Sequence, residues 1–313
     1  MKIQVLLLAV LLAAAPYLVP AFSAAEQMPA RPLLWSEQGA GRLWLYGTIH
    51  LPLAAEQALP PAARRAIEAA DVVLTEIPLD PVTRMKAHEA SLLPEGQSLA
   101  DVLPAALVAR LEAEMEARGL SFAAFSRLRP WAMAGQLALL DQDFAAGALP
   151  VDLQIWALAG RRGKTAAGLE TLGEQIAAFE ALGPGGQAWL LEQALDELER
   201  ARTEGSRASE PIVAAWRSGK LEALEQVLEE QAPAGEARAR AFREELIDKR
   251  NHRMAERILA RLRAEPDRRI FVAVGALHLA GREGLLARLG RRGLQLVQAP
   301  APVHTTVSEE AIR

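Results

Sequence analysis

The sequence contains no cysteine. That excludes a disulfide framework, a thiolate nucleophile and a lipidated N-terminal cysteine, and it leaves histidine, carboxylate or carbonyl oxygen as the ligands of any metal. Positive charge is not in excess either: 35 Lys and Arg against 39 Asp and Glu give a net charge of −4. The Arg-rich stretch from Arg238 to Arg269 is interleaved with Glu244, Glu245, Asp248, Glu256 and Asp267. It reads as a solvated helix face, so no nucleic-acid partner is expected. No Gly-x-Ser-x-Gly elbow, Gly-rich phosphate loop or His-Glu-x-x-His pair occurs, which disfavours a serine hydrolase, a nucleotide enzyme and an ordinary zincin. After residue 25 no second apolar run reaches the length of a membrane span, so the mature chain is expected not to cross a membrane.

What is present begins with a leader. Lys2 precedes the apolar run Val5 to Ala15, and Ala21, Ser23, Ala24 and Ala25 supply the small residues of a signal-peptidase site. Residues 1–25 therefore predict export to the periplasm or medium, with an N-terminal membrane anchor as the alternative, because Ile3 to Phe22 carries no charge. The whole chain is 51% apolar and 24% charged, and residues 26–313 are long enough for one large α/β domain.

The organising feature is a repeat. Leu43-Trp44-Leu45-Tyr46 runs into Gly47-Thr48-Ile49-His50-Leu51, and Ile270-Phe271-Val272-Ala273-Val274 runs into Gly275-Ala276-Leu277-His278-Leu279. Both apolar runs have strand composition, so each delivers a histidine just past a strand's carboxyl end. A helix starting near Pro60-Pro61 and a strand over Asp71–Ile77 follow the first; a helix over Arg282–Leu289 and a strand over Leu294–Val297 follow the second. Between them lie helices over 104–118, from Pro130 to Gly147, from Pro150 to Gly160 or Gly163, 171–182, 187–202, 209–218 and 221–231. A single long helix is expected from about 234 to 264. Lys164–Ala167 is short enough to be a strand. The expected fold class is α/β, with a central sheet built from N- and C-terminal βαβ units and a large helical insertion at about 82–265.

Ligands of open α/β sheets sit beyond the carboxyl ends of the strands. Four polar side chains fall at such ends: His50, Glu76, Glu170 and His278. Two imidazoles and two carboxylates that converge suit a divalent first-row metal. The readings are not equally specific. A single Gly-x-x-His is a weak signal, and Glu76 also fits an edge position. Glu170 equally fits a helix start, where a carboxylate suits the dipole, and Asp152 is ambiguous in the same way. Asn251 is a poor helix former in mid-helix, which points to a hydrogen-bonding task; surface solvation accounts equally well for Arg250. His88, His252 and His304 lack such context.

Taken in order, Leu45-Tyr46-Gly47-Thr48-Ile49-His50, Glu76, Gly168-Leu169-Glu170-Thr171 with Gln175, Arg250-Asn251 and Val274-Gly275-Ala276-Leu277-His278-Leu279-Ala280-Gly281 resemble the TraB/PrgY/GumN family, which is related to the animal Tiki proteins. The resemblance implies an erythromycin-esterase/ChaN-like α/β core with paired Gly-x-x-His motifs at the active centre. In Tiki proteins that centre supports manganese- or cobalt-dependent proteolysis, and GumN-like members are often exported bacterial proteins. Carried over by position, His50 and His278 are metal ligands, Glu76 an acidic ligand or base, and Glu170 and Arg250 participants. The C-terminal membrane segments of the TraB/PrgY and Tiki branches have no counterpart here, so their membrane-bound roles are not implied. The expectation is a metal-dependent hydrolase acting on a peptide or protein, with manganese, cobalt or zinc as cofactor. Glu76 or Glu170 would accept the proton and Arg250 steady the oxyanion. A non-catalytic haem- or iron-binding protein, or a regulatory protein with the same crevice, is the alternative.

Overall fold

Four short runs lie parallel at the centre of the molecule, three of them all or mostly buried and the fourth, at the edge, partly exposed. A computed structural model describes residues 31–53, 59–140, 149–231 and 235–300. The expected leader at 1–25, residues 141–147 of the helix expected from Pro130, and His304 lie outside the described residues. The strands are β1 (Leu34–Glu37), β2 (Leu43–Thr48), β3 (Pro52–Leu53), β4 (Val72–Thr75), β5 (Leu149–Pro150), β6 (Thr165–Gly168), β7 (Ile270–Gly275) and β8 (Leu296–Gln298). Six form one sheet in the order β6-β4-β7-β2-β1-β8, and β3 pairs with β5 in a separate two-stranded ribbon.

β2, β4, β6 and β7 run parallel, while β1 is antiparallel to β2 and β8. Every residue of β4 and β7 is buried. Strands covered on both faces need continuous apolar runs rather than alternation, which is why Val72-Val73-Leu74 and Ile270-Phe271-Val272-Ala273-Val274 have that form. β7 lies between β2 and β4, so a strand from the C-terminal part of the chain separates two strands that follow one another in this sheet. Leu43 pairs with Ile270 and Thr48 with Gly275, and Val72 pairs with the other edge of Ile270. This register sets the two Gly-x-x-His loops side by side.

The described residues are mixed α/β and 59% helical. Helices stand over Pro61–Ala69, Ala105–Ala117, Pro130–Leu140, Val151–Arg161, Leu172–Glu180, Gly183–Glu204, Glu210–Ser218 and Leu221–Gln231, among others. They divide between two apolar cores. One covers the sheet and includes Val151, Ile155, Trp216, Met254 and Ile258; the other is helix on helix, from Leu99 to Ile247, with Trp131 stacked on Phe179 at 4.9 Å between ring centres. Within the stretch at 82–265, β6 lies where a strand is expected at Lys164–Ala167, and it joins the sheet beside β4 while the helix before it packs into the sheet's core.

The helix expected over about 234–264 is interrupted. Ala237–Arg243 and Lys249–Ala264 are α-helical, and Glu244–Asp248 between them is a π turn. A π turn adds a residue to the helix and re-aims everything after it, and such turns are frequent at functional sites. The run of charge here hid it, since the pattern of buried positions through Phe242, Leu246, Ile247 and Met254 is compatible with either winding. No helix among the described residues is long and apolar enough to cross a membrane.

Candidate active site

Each Gly-x-x-His loop needs its glycine for closeness rather than for an unusual backbone angle. A Cβ on Gly47 would lie 2.9 Å from Leu279 Cδ1 and 3.2 Å from Ala276 Cα, so the first loop rests against the second. A Cβ on Gly275 would lie 3.0 Å from His50 Nε2 and 3.2 Å from Glu76 Oε1, with His278 Cδ2 at 3.7 Å. The missing side chain of Gly275 leaves a cradle between three polar groups. Trp216 holds the crossing from below by donating from Nε1 to the Gly47 carbonyl (2.9 Å).

Glu76 occupies the middle. β4 ends at Thr75, whose hydroxyl donates to the Ile77 carbonyl (2.7 Å) and turns the chain, while the Glu170 amide donates to the Glu76 carbonyl (2.7 Å). Glu76 Oε1 accepts from the Gly275 amide at 2.7 Å and lies 3.5 Å from His50 Nε2 and 3.8 Å from His278 Nε2. Oε2 accepts from Arg250 Nη2 at 2.6 Å. Burial opposes the charge on Glu76, but the Arg250 guanidinium and the hydrogen bond from His50 outweigh it and hold the carboxyl well below its usual range.

The other ring nitrogens fix the tautomers. His50 Nδ1 donates to Asp152 Oδ2 at 2.7 Å, and Asp152 Oδ1 accepts from the Thr48 hydroxyl at 2.6 Å. His278 Nδ1 faces Asn251 Oδ1 at 2.7 Å, and Asn251 Nδ2 donates to the Glu283 carbonyl at 3.0 Å. With its amide nitrogen committed, Asn251 presents an acceptor, so His278 carries its proton on Nδ1 and turns the Nε2 lone pair inward. An acceptor behind a histidine that leaves Nε2 free is the usual outer shell of a metal ligand.

Arg250 closes the group. It is 1% exposed and donates from Nε to Glu170 Oε2 (2.8 Å) and from Nη1 to His278 Nε2 (3.2 Å) and the Leu246 carbonyl (3.4 Å). Arg253 Nη2 donates to Glu170 Oε1 at 2.7 Å, so both oxygens of this buried carboxylate are engaged by arginines. Burial and the nearby cations Arg250 and His50 push His278 down to about 3, against the pull of Glu76. For His50, burial works the other way from its neighbours: Asp152 and Glu76 outweigh it and hold the imidazole well above its usual value.

All five residues expected from sequence, His50, Glu76, Glu170, Arg250 and His278, thus stand in one hydrogen-bonded group. Glu170 is on the far side of Arg250 rather than beside the imidazoles. Asp152, ambiguous from sequence because an acid in a helix's first turn has an ordinary explanation, is a further member of the group. It reaches His50 because β3 and β5 pair, and Gln154 Nε2 clamps them by donating to the carbonyls of Leu53 and Leu149, both at 2.7 Å. His88 and His252 are exposed and outside the group.

Two imidazole nitrogens and one carboxylate oxygen are a fitting donor set for a divalent ion, and the Gly275 cradle leaves space between them. Donors sharing an ion with bonds of about 2.0–2.2 Å stand roughly 3.4 Å apart in tetrahedral geometry, close to the 3.5 Å and 3.8 Å found here. As the side chains stand, no three His, Asp or Glu groups among the described residues close around an ion, and Arg250 lies on the His278 lone pair.

The fold and this group define an α/β protein with a buried histidine–carboxylate–arginine centre at the carboxyl ends of its parallel strands. The chain belongs to the TraB/PrgY/gumN family, whose model matches residues 33–298. It is similar to proteins named Metalloprotease TIKI1 of Danio rerio (28% identical; 89% of this chain and 65% of that protein) and Metalloprotease TIKI2 of Danio rerio (29%; 82% and 58%). Metalloprotease TIKI1 of Homo sapiens is 27% identical over 91% of this chain and 66% of that protein. The chain therefore spans about 58–66% of the length of these relatives.

Proposed function

We propose that this protein is a metal-dependent hydrolase that cleaves peptides, with His50, His278 and Glu76 holding a divalent cation, manganese, cobalt or zinc. The observation that carries the reading is the convergence of both Nε2 atoms on Glu76 Oε1, at 3.5 and 3.8 Å, with both Nδ1 atoms tied back to acceptors. The names of the similar proteins support the same class. A cation held there supplies Lewis acidity toward a carbonyl oxygen or a water molecule.

The chain's own residues do the rest. Asn251 keeps His278 in the tautomer that offers Nε2, while Asp152 holds the ring plane of His50, whose Nε2 proton has to leave before that nitrogen can hold a cation. Arg250 keeps Glu76 ionised. Glu170, clamped between Arg250 and Arg253 with its side chain wholly buried, positions the guanidinium. At the end of β6 a cavity of about 590 Å³ is lined by Pro78, Thr83, Lys86, Glu170, Leu172 and Arg257; it meets the group at Glu170, and His50, Glu76 and His278 do not line it. Bis-histidine ligation of a haem would need the macrocycle between the imidazoles, whereas these two converge on one carboxylate oxygen, which supports an ion instead. Residues 1–25 act as an export signal in this reading, and the N-terminus of the exported protein would show the cut near Ser23–Ala25.

Protein stripped by a chelator is expected to be inert and to regain peptide cleavage with manganese, cobalt or zinc. His50→Ala and His278→Ala should each abolish it while leaving the fold intact. Cleavage that survives chelation, or metal binding indifferent to both variants, would sink the proposal.

A further inference from the structure

The Arg250 guanidinium occupies ground that an incoming cation has to share. Two of the three groups assigned to the metal above, His278 Nε2 and Glu76, already bond to it, at 3.2 Å and 2.6 Å. The single Nε2 lone pair of a neutral imidazole takes either an N–H donor or a metal. A divalent charge brought within a few ångströms of a buried guanidinium also meets direct repulsion, weakly screened because Arg250 is 1% exposed. The arginine is not there by accident of a loose side chain. Glu170 anchors Nε at 2.8 Å, and the carbonyl of Leu246, within the π turn, anchors Nη1 at 3.4 Å. Arg253 in turn fixes Glu170 from the surface side.

We propose that Arg250 is a built-in competitor for the divalent cation: loading the centre requires its guanidinium to leave the His278 lone pair, and Glu170 with the π turn sets how readily it leaves. The inference rests on His50, His278 and Glu76 holding the ion. It makes the metal weakly held and exchangeable, and it explains how Glu76 stays buried and charged when no ion accompanies it. A purely structural Arg250 has the opposite consequence, since its removal would disorder Glu76 and weaken metal binding.

Calorimetric titration of Zn²⁺ or Mn²⁺ into the full chain and into the charge-balanced double variant Arg250→Met/Glu170→Gln separates the two. The expected result is binding at least about tenfold tighter in the variant, at one unchanged site, with a larger rise in melting temperature on adding the ion. Equal or weaker binding in a cooperatively unfolding variant overturns the proposal. A second measurement needs only the native chain: the Arg250 Nε–H resonance, assigned by its absence from Arg250→Lys, should move or broaden as diamagnetic Zn²⁺ is added. If Zn²⁺ binds in a His50- and His278-dependent manner while that resonance stays in place, the competition is refuted and the metal site stands. If neither the native chain nor the variant binds an ion, both readings fall together.

Discussion

The arms that end in His50 and His278 have the same plan and opposite electrostatics. Both leave a buried parallel strand through glycine, and both tie Nδ1 to an oxygen at 2.7 Å. Behind His50 that oxygen is the Asp152 carboxylate; behind His278 it is a neutral amide, with Arg250 in front. The first imidazole is thereby held well above its usual titration range and the second is pushed to about 3. A shared motif delivers two ring nitrogens to one point, and the residues packed behind each ring decide its charge.

The largest test of this contrast is Arg250→Leu, which leaves Glu76 and Glu170 buried without their common cation. Stability should fall by about 3–5 kcal/mol in urea unfolding. A loss below about 1 kcal/mol would mean that the group is solvated and that the two arms do not differ as described.

Next come the two glycines, each substituted by alanine. Both variants should lose about 1–3 kcal/mol from crowding. Gly275→Ala, whose Cβ falls between His50 Nε2 and Glu76 Oε1, should also lose its metal response. Gly47→Ala presses on Ala276 and Leu279 instead and should keep much of that response. Equal metal binding in the two would remove the special place given to the Gly275 cradle.

The pH dependence has opposite signs on the two arms. His50 has a raised folded pKa, so its stabilisation is complete below the unfolded value near 6.5 and is lost as pH rises through the folded value. His278 has a depressed one, so the unfolded chain takes up a proton that the folded chain refuses, and stability declines as pH falls from about 6.5 toward 3. Metal-free His50→Gln should therefore be most damaging at about pH 5 and His278→Gln at about pH 8. Parallel profiles would show that the rings titrate alike.

The smallest effect is expected of Thr48→Val, which removes only the hydroxyl bond to Asp152. A loss of about 0.5–1.5 kcal/mol is expected, with a modest upward shift of the His50 titration followed by NMR, because an Asp152 carboxylate freed of one donor attracts the imidazolium more strongly. An unmoved titration would show that the hydroxyl does not tune Asp152.

Much of this centre was legible because its ingredients are local. An apolar run closed by Gly-x-x-His reads as a strand end, Glu76 follows Val72-Val73-Leu74-Thr75 in the same way, and Asn251 stood out as a poor helix former. Its task proved to be the proton on His278. Asp152 did not stand out, since the β3–β5 ribbon that carries it to His50 is made by two dipeptides with no periodic signal. The π turn was hidden in a charged helix whose apolar spacing suits two windings.

By itself, then, the sequence determined which strands are buried on both faces, that two of them end in a glycine and a histidine, and that no thiol takes part. Those are consequences of composition and short-range spacing. Only the tertiary structure decided that β7 enters between β2 and β4, that Glu76 stands between the imidazoles, and that Arg250 lies on one of them. Strand order and side-chain charge depend on which surfaces meet in three dimensions, and a buried carboxylate or guanidinium at 3 Å outweighs anything that a residue's own neighbours in the chain impose.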